Sequence, residues 1–131
     1  MNRRTSVVMA AVIILVVAVA LVIGLRGSHS AADGCRPTGT PVVHKAVIHD
    51  GKVSGGHLTA KLCDTLQITN EDGISREVAF GLHEHHEPYD GVTERVLGKG
   101  DSFVVTLNQA GSFRWHDHLH DEVQGFFTVT R

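Results

Sequence analysis

The sequence predicts an all-β fold, a β-sandwich with Greek-key connections, for everything beyond about residue 40. Three observations carry this. The apolar runs there are short and rich in β-branched residues, and several alternate with a period of two. Clusters of Gly, Asn and Asp separate them. No segment after residue 27 sustains a helical period. Seven or so short strands in roughly 100 residues suit a sandwich.

One N-terminal transmembrane helix is expected to precede this fold. Val7 to Leu25 holds no charged residue. At about 1.5 Å per residue it would span roughly 28 Å, against a hydrocarbon core of about 30 Å. Arg3 and Arg4 precede it and only Arg26 follows closely, so the N-terminus should stay cytoplasmic and the remainder lie outside. Residues 1–26 therefore read as a membrane anchor. The alternative is a cleaved signal segment, whose apolar core normally runs about 7–15 residues; Ser28, Ser30 and Ala32 would permit cleavage. Cys35 is no lipidation site on this pattern, because Asp33 sits two residues before it. Both readings export the rest of the chain, tethered in one case and secreted in the other.

Residues 27–40 read as a linker, rich in Ser, Ala and Gly, and residues 41–131 as the domain. Export makes a Cys35–Cys63 disulfide the favoured state over two unpaired thiols. A loop of that size would contribute about 3–4 kcal/mol in the chain-entropy picture. The first strand is expected over Val42–Ile48, ending at an Asp50-Gly51 turn. Leu66 and Ile68 share one face of the next, and Val78–Phe80 forms another. Phe103, Val105 and Leu107 alternate with polar or smaller residues, as do Phe113 with Trp115 and Phe127 with Val129. Gly55-Gly56, Asn70–Gly73, Gly98–Asp101 and Asn108–Gly111 supply turns between strands.

Charge narrows the function. The chain has 131 residues and a net charge of −2. All 14 acidic residues but only nine of the 12 basic ones follow residue 26, leaving the domain near −5. Such a surface suits neither nucleic acid nor an anionic membrane face.

Histidine is in excess, at 10 residues, and six of these fall in two windows. His83-Glu84-His85-His86 follows the Val78–Phe80 strand. His116-Asp117-His118-Leu119-His120-Asp121 follows the Phe113/Trp115 strand. In an extended chain His116, His118 and His120 share one face, and Asp117 shares the core face with Trp115. Imidazoles from separate segments that converge at strand ends suit a divalent ion such as Cu(II), with Zn(II) as an alternative. Asp117, Asp121, Glu84 and Glu122 are further ligands or acceptors that would fix the His tautomers. A solvated or pH-sensitive polar patch is the competing reading.

The stretch Gly111-Ser112-Phe113-Arg114-Trp115-His116-Asp117-His118-Leu119-His120, continuing through Gly125 to Val129, resembles the last hairpin of the cupredoxins. Leu66–Asp72 resembles the strand leading to that family's first copper-binding His, and Gly100-Asp101-Ser102-Phe103 resembles its aromatic strand start. The resemblance covers roughly residues 41–131 and implies the sandwich fold. It does not carry over the blue-copper ligands. Asp117 stands where the family has its Cys, Val123 where the shortest loops place Met, and Arg76 or Glu77 where the first His belongs; only His120 matches. The His₂Cys set of a blue-copper centre is therefore absent, as are the two Cys of the dinuclear variant. The chain is more similar to divergent bacterial cupredoxins, for which the resemblance implies copper ligands at His83, His86, His116 and His118, with His85, His120 and Asp117 in reserve. The His-x-His also resembles multicopper oxidases, which need further His pairs from a second domain.

Three functions follow as expectations. The first is an exported, membrane-tethered domain that binds copper through His for binding or carriage. The second is a metal-free sandwich serving as a binding or structural module, with an Arg76–Asp117 salt bridge in place of the metal. The third is an enzyme that uses a His-bound metal to activate water or oxygen, for which no base or pocket is legible. No protein partner is named by the sequence.

Overall fold

A computed structural model describes residues 35–131. The expected anchor over residues 1–26 lies outside the described residues. Among the described residues no helix is long and apolar enough to cross a membrane.

Among the described residues ten strands form two sheets. In chain order they are β1 (Val43–His49), β2 (Lys52–Ser54), β3 (His57–Lys61), β4 (Thr65–Asn70), β5 (Arg76–Leu82), β6 (His85–His86), β7 (Glu94–Leu97), β8 (Ser102–Thr106), β9 (Gly111–Asp117) and β10 (His120–Thr130). One sheet has the order β2-β1-β4-β8, the other β3-β10-β9-β5-β6, with β7 also paired to β5. β1 with β4 and β10 with β3 run parallel, and the other pairs are antiparallel. The chain thus crosses repeatedly between sheets, as Greek-key connections require.

The alternation places the core. Ala46, Ile48, Leu66, Ile68 and Val105 from one sheet meet Val78, Phe80, Trp115, Phe127 and Val129 from the other. Asp50 and Gly51 link β1 to β2 with φ of 49° and 66°. Two positive φ values in a two-residue loop are those of a type I′ turn, which matches the right-handed twist of the strands it joins.

The sequence yields about seven strands because β2, β3, β6 and β7 carry weak signals. In β7 Glu94, Arg95 and Val96 are all exposed and only Leu97 is buried, so no alternation marks it. Cys35 and Cys63 form a disulfide with Cα atoms 5.3 Å apart. It staples the stretch beginning at Cys35 to the loop after β3. The described residues belong to one compact unit.

Candidate metal centre

Strand β9 lies between β10 and β5, with Val78 opposite Asp117, Ala79 opposite His116 and Phe80 opposite Trp115. Because side chains alternate, Trp115 and Asp117 take the core face and His116 the other. His116 is nevertheless 0 % exposed. The β5–β6 turn covers it. β5 runs to Leu82, the chain reverses through His83 and Glu84, and His85 and His86 pair back with Leu82 and Gly81. Gly81 permits this tight return: its φ is +92°, and a Cβ there would lie 2.7 Å from the Glu87 amide and the His85 carbonyl. The turn carries the His83 and His86 rings to within 5.7 and 5.3 Å of the His116 ring, between centroids.

His118 completes the quartet. Its amide donates to the Glu77 carbonyl at 2.7 Å, which fixes the chain beside β5. Its ring lies 5.1 Å from that of His83 and 4.8 Å from that of His86. Its Nδ1 is 3.1 Å from Nε2 of His86. One ligand atom each from His83, His116 and His118 lie within 4.8 Å of one another, and so do one each from His86, Glu94 and His118. Nδ1 of His86 sits 3.4 Å from Oε2 of Glu94, an acceptor that orients the ring.

Electrostatics keep these rings available as ligands. Burial pushes His116 below the ordinary 6.5, and the nearby Arg114 guanidinium adds to the effect. Burial also lowers His86, helped by His118 and His83. Both are held neutral near pH 7, each with one ring nitrogen unprotonated. His116 also has no hydrogen-bond partner at Nδ1 or Nε2.

The other sequence-predicted ligands stand apart. His85 points away from His86, as alternation in β6 requires; its side chain is 77 % exposed beside Glu87. His120 leaves the line of His116 and His118 because the chain turns at His118 and Leu119. It pairs across the hairpin with Asp117, its Nδ1 3.2 Å from Oδ2. Asp117 is fully buried on the core face, away from the quartet. Its Oδ2 accepts from Nη1 of Arg76 at 2.8 Å, and its Oδ1 accepts from the amides of Glu77 and Leu119 at 3.2 and 3.1 Å. The Arg76 Nε also donates to Asp72 at 2.9 Å. Burial alone would raise Asp72, but hydrogen bonds from Arg76 and the Gly51 amide hold it below the usual 3.8. Asp121 is bound by Arg114, and Glu84 and Glu122 are exposed.

Two predicted arrangements therefore coexist. The core-side position, where the resemblance puts a copper thiolate, holds a guanidinium clamped by two carboxylates. A cation does not fit beside that cation. The outer-face trio of His83, His116 and His118 does fit one, because its ligand atoms converge within 4.8 Å and it includes a buried imidazole with no hydrogen-bond partner. Glu94 went unrecognised in the sequence: it sits in a strand without alternation and outside both His windows.

No family model matches this chain, and no curated protein does. Solved structures do. The chain is similar to a purple cupredoxin from Nitrosopumilus maritimus at 18 % identity and a TM-score of 0.55, covering 66 % of this chain and 98 % of that one. It is similar to a reduced point mutant of amicyanin at 19 % identity and a TM-score of 0.54, covering 76 % and 85 %. A second amicyanin mutant, described as Cu(I), matches at 20 % identity and 0.55, covering 67 % and 82 %. Likeness at these identities establishes the fold: the described domain is a cupredoxin-like β-sandwich.

Proposed function

We propose that this chain is an exported copper-binding protein, tethered to the outer face of a membrane by residues 1–26, that holds Cu(II) with His83, His86, His116 and His118. The observation that carries the reading is His116, fully buried with both ring nitrogens unpartnered and facing the rings of His83 and His86. Leaving a buried polar group unsatisfied costs about 1–3 kcal/mol. A metal bond removes that cost on one nitrogen. Neutral imidazoles suit Cu(II), and the copper proteins among the structural neighbours favour it over Zn(II). The role is binding or carriage. The sandwich has no thiolate ligand here, so efficient electron transfer of the blue-copper kind is not part of the proposal. Secretion after cleavage within residues 27–34 is the variant of the localisation.

Calorimetric titration of the full-length chain with Cu(II) and Zn(II), beside a His83→Ala/His118→Ala variant, tests this. Sub-micromolar Cu(II) binding that the variant loses, with no strong band near 600 nm, is the expected result. Weak binding that is equal in both sinks it. A second reading, a metal-free binding module, is favoured by the Arg76–Asp117 pair at the core-side position, and it is what that negative result would leave.

A further inference from the structure

We propose that Glu94 is a ligand of the same centre, and that the centre offers two overlapping ion positions. One is all-imidazole, from His83, His116 and His118. The other is mixed, from His86, Glu94 and His118. The inference rests on the copper reading above and deepens it.

The sheet register builds the arrangement. Ala79 in β5 is opposite Glu94 on one side and His116 on the other. The three residues form one row across β7, β5 and β9, so Glu94 and His116 take the same face. The small Ala79 between them leaves room for rings above the row. His86 reaches the row from β6 and His118 from the turn after β9. Each trio brings one ligand atom per residue to within 4.8 Å of the other two, and the trios share only His118. The Glu94 side chain is 36 % exposed and already lies 3.4 Å from Nδ1 of His86, with the Glu77 carboxyl beside it, raised above the ordinary 4.5 by its hydrogen bond to Glu94.

The donor types separate the two positions chemically. Mixed nitrogen and oxygen donors suit the tetragonal preference of Cu(II). A carboxylate also brings a full negative charge to a set of neutral rings. At equal distance that charge attracts a divalent ion twice as strongly as a monovalent one. Glu94 therefore biases the site towards Cu(II) over Cu(I), and the all-imidazole position takes the reduced ion with less loss.

The test compares the full-length chain with its Glu94→Gln variant. Cu(II) affinity is measured by competition with a chelator, and Cu(I) affinity by a colorimetric chelator under reductant. Electron paramagnetic resonance of the Cu(II) form reports the donor set. The expected result is about a tenfold loss of Cu(II) affinity, about threefold or less for Cu(I), and altered hyperfine splitting. A His83→Ala variant should keep the Glu94-dependent Cu(II) spectrum. Equal losses for both ions, or an unchanged spectrum and affinity, overturn the Glu94 assignment while the copper reading stands. A wild-type chain that binds neither ion removes both. Thermal melting of the two variants confirms the fold, since Glu94 and His83 are exposed.

Discussion

Asp117 and His116 are neighbours in one strand, equally buried, and opposite in electrostatic condition. On the core face Asp117 is saturated: its carboxylate accepts from Arg76, the Glu77 amide and the Leu119 amide, with Nδ1 of His120 within reach. On the other face His116 has no hydrogen-bond partner at either nitrogen, the nearest carboxylate being that of Asp121 at 3.9 Å. Neither residue is needed to fill an apolar core. The first region is satisfied without any ligand, so it serves the fold. It ties β5 to β9 and, through Asp72, to the β1–β2 turn. The second has no internal hydrogen-bond partner to hold it, and it is where the proposed copper site is placed.

Breaking the satisfied side should have the largest effect. Arg76→Met leaves Asp72 and Asp117 buried with no guanidinium between them. Removing one partner of a buried ion pair costs about 3–5 kcal/mol. Urea unfolding should show a lower midpoint at unchanged slope. A triple variant that also turns both aspartates into Asn should regain most of the loss, because the uncompensated charges are then gone. A loss under about 1 kcal/mol for Arg76→Met would show that water, not the ion pair, satisfies these carboxylates.

Breaking the unsatisfied side should act in the opposite sense on stability. His116→Phe keeps a ring in the cavity and deletes two orphaned polar atoms. The metal-free chain should gain about 1–2 kcal/mol. Affinity for an ion at the all-imidazole position, read with Cu(I), should fall about 100-fold, which corresponds to about 2.7 kcal/mol. A variant that loses both stability and binding would make His116 an ordinary packing residue. His85→Ala is the matched control: its side chain is exposed and outside the quartet, so Cu(II) affinity should change less than twofold.

The same contrast explains what the sequence made legible. Period-two alternation marks strands with one buried face, so β1, β4, β8, β9 and β10 were readable, and so was the core placement of Asp117. Short edge strands carry no such pattern, and β7 was therefore missed along with Glu94. The His windows announced the chemistry, but residue spacing alone does not say where the chain turns. His116 and His118 remain together because β9 persists nearly that far. His120 departs because the hairpin reverses at Leu119. The depth of His116 was illegible as well, since it depends on the β5–β6 turn folding over the sheet, a tertiary event hinged on Gly81.

The smallest effect, and the finest test of the contrast, is pH dependence in the metal-free chain. The two regions should titrate in separate windows. His116 faces His83, His86, Arg114 and Asp121, and burial holds it and His86 below 6.5 in the folded state. The unfolded chain therefore takes up protons first as pH falls. Stability from these rings is complete above about pH 6.5 and declines as pH drops through their lowered values. The slope is at most about 1.4 kcal/mol per pH unit for each proton withheld. Asp72 behaves likewise at a lower range: its carboxyl is depressed below 3.8, so its contribution persists above that value and is lost as pH falls further. Stability measured by urea midpoints from pH 8 to 3 should thus show an early decline and a late one. His116→Phe should flatten the early decline and leave the late one intact. If the variant retains the full early decline, the protons are being taken up elsewhere, and His116 is not the buried, neutral ring that sets its face apart from the ion pair behind it.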